Sequence, residues 1–305
     1  MIATIAKHQL LLLRRQRIFL GMMCLFLAMA AAAGMLGWSS HHTIVRVYDD
    51  AKQLLANAGK PAPPNPFLLT PPLSLLSNMT IYIPLLGALL ALVLGHLSMI
   101  EDQTDGTGRL IFSRPVSRTT YVLGTMASAS SALAAILAAS WWVSALSLAI
   151  VHRSIPSVQE FGQLTLFYGL SWSYMFAFAL IGMVTVLLTQ RRSLALLSAI
   201  GVWLIVTFAV PQFTSGLRPS ASLNPITDPV STSQRFFKVT AKARPYSVVE
   251  QYKAASGRIL QTATAEPVWE TMRRVLPLAI LIIGLVLATI RLVQQHDFSR
   301  SASNE

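Results

Sequence analysis

The chain is 305 residues long, 53% hydrophobic and only 12% charged, which is about half the charge share of a soluble globular protein. Its 24 lysines and arginines and 12 acids fall in clusters separated by long uncharged stretches, the pattern of a chain threaded repeatedly through a bilayer. A soluble enzyme is excluded, and the single cysteine, Cys24, rules out both an intramolecular disulfide and a cysteine-based metal framework.

Residues 1–17 place Ile2, Ile5, Ala6 and Leu13 on one side of a helix and Lys7, His8, Arg14 and Arg15 on the other. An amphipathic helix lying at the membrane surface fits this pattern, and a basic tail that only sets topology would carry the same charges. Residues 18–38 hold no charge, and these 21 residues, rising ~1.5 Å each, cover the roughly 30 Å hydrocarbon core. The run exceeds the ~7–15 apolar residues of a cleavable signal peptide, so it reads as the first span, with Cys24 packed as a small apolar residue. An outside loop over 39–78 contains a short amphipathic stretch at 43–58 and a proline-rich run at 60–66 that cannot be helix interior.

Uncharged stretches at 79–99, 119–151, 161–188, 194–210 and 275–290 bring the count to six spans. The third carries Ala127, Ser131, Ala135 and Ala139 at four-residue steps, a small-residue stripe expected to permit close helix approach. Segment 211–274 opens with turn formers at Pro219, Asn224-Pro225 and Asp228-Pro229, and two helices are predicted after them, at 230–243 and 247–265. The expected architecture is an all-α polytopic membrane protein. An interfacial helix at 1–17 precedes five spans over 18–210, an extracytoplasmic helical segment occupies 211–274, and the last span and its tail occupy 275–305.

With the N-terminus inside, Lys7, Arg14, Arg15, Arg17, Arg109, Arg114, Arg118, Arg191, Arg192, Arg291 and Arg300 face the cytoplasm. Only Arg46, Lys52, Lys60 and Arg153 lie in the two shorter outside loops. The positive-inside rule therefore predicts N-in and C-in, and the basic residues of 211–274 do not weigh against it because long segments are translocated largely regardless of charge.

No Gly-x-x-x-x-Gly-Lys-Ser/Thr occurs, so no phosphate-cradling loop of that type is present. No charged residue falls within a predicted span, which removes the buried relay of many ion-driven carriers. His96, near the inner end of the second span, reads as hydrogen-bonded to a neighbouring helix. His41 and His42, with Asp49 and Asp50, read as loop polarity, since adjacent histidines seldom present two rings to one ion. No metal or cofactor site and no catalytic set is legible. The basic outer segment lacks the interleaved aromatics of a nucleic-acid platform, so no nucleic-acid partner is expected; its charge suits anionic lipid head groups or an acidic partner.

The most informative segment is the loop between spans two and three, EDQTDGTGRLIFSRPVSRTTYVLG from Glu101 to Gly124. Leu110, Ile111 and Phe112 stand between Arg109 and Arg114, as in a short amphipathic element touching another protein. Gly106 and Gly108 allow a sharp reversal. Pro115 suits a helix start, and Ser117 can cap the next span. A topogenic loop whose arginines only hold it inside is the rival reading.

This loop resembles that of ABC-2-type transporter permeases, the membrane subunits of a class of ATP-binding-cassette systems. Their pattern is acidic-Gly-Thr-Leu, several apolar residues, Ser-x-Pro-Val-Ser-Arg and then Gly-Lys. It is matched here by Asp105-Gly106-Thr107, Ser113-Arg114-Pro115-Val116-Ser117-Arg118 and Gly124. Gly108 replaces the usual leucine and Thr125 the usual lysine. Within the family, the chain is similar to the permease of the nitrous-oxide-reductase maturation system and its relatives.

The resemblance implies a multi-pass protein of the bacterial cytoplasmic (inner) membrane that pairs with a second permease copy and a separate cytoplasmic ATPase. ATP and Mg would be bound by that partner and no cofactor by this chain. Loop 101–118 would be the coupling element: Glu101, Asp105, Gly106, Thr107, Ser113 and Ser117 would shape it. Arg109, Arg114 and Arg118 would meet acidic groove residues, Leu110 and Phe112 would anchor it, and Pro115 would stiffen the joint to span three. In related exporters spans two and five line the dimer axis, which would present Asn78, Thr80, Tyr82, Ser98, Ser198 and Thr207. An amphipathic or lipid-like cargo, a peptide, or mechanical work on an extracytoplasmic partner all fit a pathway without charge. The competing readings are a membrane-anchored scaffold or assembly protein that needs no ATPase and, last, a membrane enzyme using His41, His42, His96 or His152.

Overall fold

A computed structural model describes residues 2–15, 17–61, 71–104, 116–152, 155–189, 191–215, 239–262 and 267–295. Every regular element among them is helical. Helix α1 (Ile2–Arg15) ends at a left-handed Arg17, φ 58°, which turns the chain into α2 (Ile18–Asn57). At 40 residues and ~1.5 Å per residue, α2 is about 60 Å long, twice the hydrocarbon thickness. The separate span and amphipathic stretch expected at 18–38 and 43–58 are thus one rod. Residues 39–57 contain neither Gly nor Pro, and the helix stops only at Gly59 with φ +67°, just before Pro61.

A 3-10 turn (Pro72–Leu76) leads into the second span, made of α3 (Met79–Tyr82), a π-helical turn (Ile83–Gly87) and α4 (Ala88–Thr104). Then come α5 (Arg118–His152) and α6 (Val158–Leu188). The fifth span repeats the interrupted design, with α7 (Arg192–Leu204), a π turn (Ile205–Ala209) and α8 (Val210–Ser215). Pro84 lies inside the first π turn and Pro211 just after the second. Each lacks the N–H for the regular ladder, and an extra residue per turn accommodates it.

A 3-10 turn (Ala241–Tyr246), α9 (Val248–Ile259) and α10 (Val268–Gln295) complete the described chain. The helix expected at 230–243 falls largely outside the described residues, and its end forms the 3-10 turn around Pro245. The helix expected at 247–265 stops at Ile259. Gln261 turns left-handed at φ 58° and the Thr262 amide donates back to the Gly257 carbonyl at 2.8 Å, closing the helix end.

Six of these helices are long and apolar enough to span a membrane. The most enclosed is α6, followed by the second span; the fifth and sixth are the most exposed. At the centre α4 and α6 meet backbone to backbone. A Cβ on Gly95 would lie 1.9 Å from the Ala179 carbonyl oxygen, and one on Gly182 2.2 Å from that of Leu92. Within a membrane small residues drive helix association by letting backbones approach.

The expected small-residue seam on the third span is corrected here. Ala127, Ser131 and Ala135 are exposed and Ala139 is half-buried. α5 turns Ser128, Ala129, Ala132, Ile136, Ser140 and Ser144 inward instead, so the seam is rotated around the helix. The stripe that does lie in the core is Ala91 and Gly95 on α4, with Gly87 one step before them, where a Cβ would lie 3.0 Å from Phe26. Cys24 is exposed on α2 rather than packed inside.

Candidate functional site

The loop carrying the motif lies between the end of α4 and the start of α5. Glu101 is in the last turn of α4. Asp105, Gly106, Thr107, Arg109, Leu110, Phe112, Ser113, Arg114 and Pro115 lie outside the described residues. What the structure defines is the frame that receives them. Val116 and Leu10 both pack onto the hydrophobic core. The Ser117 hydroxyl accepts a hydrogen bond from the Thr120 amide at 3.1 Å, which caps α5. At the next residue, Arg118 Nη1 donates to the Gln294 carbonyl at 2.6 Å, and Gln294 Nε2 reaches Thr119 Oγ1 at 3.4 Å. The first residues of α5 are thereby latched to the last turn of α10.

Helix α1 lies along the same end of α5 and turns Ile5, Ala6, Gln9 and Leu10 toward the protein, whereas Ile2, Lys7 and His8 are exposed. Gly124 makes the approach possible: a Cβ there would lie 2.7 Å from the Ile5 side chain. Thr125, where the family has lysine, is fully buried with its hydroxyl donating to the Tyr121 carbonyl at 3.2 Å.

The six residues expected along a pathway differ widely in burial. Asn78, Thr80 and Tyr82 are half-buried, and the Thr80 hydroxyl donates to Ser77 at 2.7 Å. Ser98 is buried and bonded to the Gly95 carbonyl at 2.9 Å. Ser198 is exposed on α7, with its hydroxyl on Ala195. Thr207, in the second π turn, is buried beside Tyr174, and neither hydroxyl has a hydrogen-bond partner of good geometry among the described residues. His96 is buried too, and its Nδ1 lacks the expected partner on a neighbouring helix among those residues. His42 rests edge-on against Trp38, ring centres 4.6 Å apart.

A buried acid that the sequence reading passed over organises the opposite end. Glu250 on α9 is only 8% exposed. It accepts from Thr214 Oγ1 at 2.6 Å and from Arg244 Nε at 2.8 Å, which ties the end of the fifth span to α9. The signal was present as Ser247-x-x-Glu250, a helix-start spacing, and the Ser247 hydroxyl faces the Glu250 amide at 3.5 Å. Next to it, the Tyr252 hydroxyl shares a hydrogen bond of 2.8 Å with Ser171 of α6, and the Tyr252 ring lies 4.5 Å from that of Tyr174. Burial pushes the Tyr252 hydroxyl well above the usual tyrosine range. Burial also pulls the Lys253 ammonium down, with the Glu250 charge acting in the opposite direction.

No curated protein matches the sequence. A family described as ABC-2 family transporter protein matches residues 3–298, which takes in α1, all six spans, the loop between α4 and α5 and the outer element α9. With that match laid over a six-span bundle whose third and sixth spans are joined beside the motif, the chain belongs to the ABC-2 family of transporter proteins, as the membrane-spanning permease subunit of an ABC transporter.

Proposed function

We propose that this permease works as a dimer in the bacterial cytoplasmic membrane, N-in and C-in, as an exporter or a transmitter of mechanical work to an extracytoplasmic partner. It is driven by a separate ATPase that binds ATP and Mg and docks on loop 101–118. The single observation that carries this reading is the latch of Arg118 onto the Gln294 carbonyl at 2.6 Å. A displacement of the loop is delivered through Ser117 and Arg118 to two spans together, α5 and α10, and through Gly124 to α1. Rigid helices convert that push into a change at the far end, where α10 borders α9. Two arrangements of the spans are needed, and ATP must favour one of them.

Arg109 and Arg114 offer charge-assisted contacts to acidic groups on the ATPase, and Leu110 and Phe112 offer apolar anchors. Arg114→Glu and the double variant Arg114→Glu with Arg118→Glu are expected to lose the ATPase on affinity purification in mild detergent, and with it nucleotide turnover, by tenfold or more, on the order of 1.4 kcal/mol. Arg114→Glu leaves the α5–α10 latch intact, so its loss of the ATPase cannot be ascribed to a disturbed bundle. Retention of a stoichiometric, active complex in both variants would sink the coupling role.

A further inference from the structure

At the end of the bundle opposite Arg118, a groove of about 950 Å³ opens between the Ala241–Tyr246 turn, α9 and the first turns of α10. Its head is charged, with Arg244 and Glu250 on one side and Glu270, Arg273 and Arg274 on the other. Its wall is apolar, formed by Leu276, Ile280 and Leu281. Along α10 the chemistry changes in one direction only. Leu281 lies eight residues beyond Arg273, about 12 Å deeper at 1.5 Å per residue.

The helix start also fixes the depth. Trp269, the first residue of the sixth candidate span, is exposed, and tryptophan at a span end sits at head-group level. Arg273 and Arg274, one turn further in, reach that level by extending along the surface, while the apolar wall faces the hydrocarbon. Arg244 and Glu250 neutralise each other at 2.8 Å. Of the five charged residues that line the groove, three are arginines and two are glutamates, so its lining carries one net positive charge. Arg273 is exposed and makes no hydrogen bond or ion pair among the described residues.

We propose that this groove binds an anionic phospholipid, with its singly charged phosphodiester against Arg273 and Arg274 and one acyl chain along Leu276, Ile280 and Leu281. A free anion would gain nothing from the apolar wall, and a lipid with a balancing cation in its head group would gain little from the net positive head. The proposal rests on α10 spanning the membrane and not on the ATPase, so it adds an amphiphile site to the permease reading without depending on coupling.

The test uses the delipidated full chain in detergent. Native mass spectrometry measures retention of phosphatidylglycerol and of phosphatidylcholine with matched chains, with inorganic phosphate as competitor. A basic residue at a lipid surface is worth about fivefold, so Arg273→Gln with Arg274→Gln is expected to lower phosphatidylglycerol retention by about 30-fold, toward the phosphatidylcholine level. Ile280→Trp narrows the wall without touching the arginines and is expected to lower retention of both lipids. Arg46→Gln, on α2 away from the groove, is expected to change neither. Equal retention of the two lipids by the wild-type chain, or unchanged preference in the double variant, would overturn the proposal. So would displacement of phosphatidylglycerol by equimolar inorganic phosphate, which would assign the arginines to a free anion. None of these readouts involves the ATPase, so failure here is distinguishable from failure of the coupling role.

Discussion

Gly182 and Gly95 are where single atoms decide the bundle. A Cβ at Gly182 would lie 2.2 Å from the Leu92 oxygen and 2.9 Å from the His96 amide nitrogen, and these are backbone atoms that cannot swing aside. Gly182→Ala must therefore force α4 and α6 apart at the centre of the fold, an overpacking change of about 1–3 kcal/mol. Gly201 on α7 is a matched control, because nothing lies within 4 Å of the place its Cβ would take. There the same change replaces a flexible helix residue and should stabilise by about 0.5–1 kcal/mol. Thermal unfolding of the two variants in one detergent should move in opposite directions, and a stable Gly182→Ala protein would show that the crossing is looser than the structure has it. The Gly87, Ala91, Gly95 stripe at four-residue steps was visible in the sequence all along. Composition could not rank it above the Ala127, Ser131, Ala135, Ala139 stripe, because spacing gives a face and not the direction in which that face points.

Elements begin and end where local chemistry says they should, even inside a membrane protein. The start of α6 is a reciprocal capping box: the Glu160 amide donates to the Ser157 hydroxyl at 3.3 Å, and the Ser157 amide donates to Glu160 Oε2 at 2.6 Å. Ser157→Ala removes the first bond and loosens the second, and should lower unfolding stability by about 1 kcal/mol while leaving lipid binding unchanged; an unaltered unfolding midpoint would mean that tertiary contacts alone hold this helix start. The boundaries of α5 and α6 were close to those drawn from hydropathy, since an apolar run and a cap are local properties. The length of α2 was not: the polarity of residues 39–57 argued for a loop, whereas a stretch without Gly or Pro simply continued the helix past the membrane. Likewise the two π turns were not legible from hydropathy, which is blind to where Pro84 and Pro211 must be absorbed.

For the molecule as a whole, the arrangement is a central α6 with the second span against it and the first, third, fifth and sixth more open. The permease works as a dimer by the reading proposed above, and α7 leaves large apolar residues such as Leu197 and Leu204 exposed in the single chain. Orientation can be tested directly on a Cys24→Ala background, because Cys24 is the chain's one cysteine. Ala3→Cys on α1 and Lys52→Cys on α2 are both exposed positions at opposite ends of the first span. In intact cells a membrane-impermeant maleimide should label the cysteine at 52 and spare the one at 3; the reverse pattern would invert the topology and remove loop 101–118 from the compartment that holds ATP.

The sequence by itself determined the class, the six spans and the family, because uncharged length, charge placement and residue spacing are properties read along one dimension. Which helix is central, which small residues meet, the hold of Arg118 on Gln294 and the burial of Glu250 between Thr214 and Arg244 were decided only by tertiary structure. Each depends on the rotation of a helix about its own axis and on contact between residues far apart in the chain, and neither quantity leaves a mark in local composition.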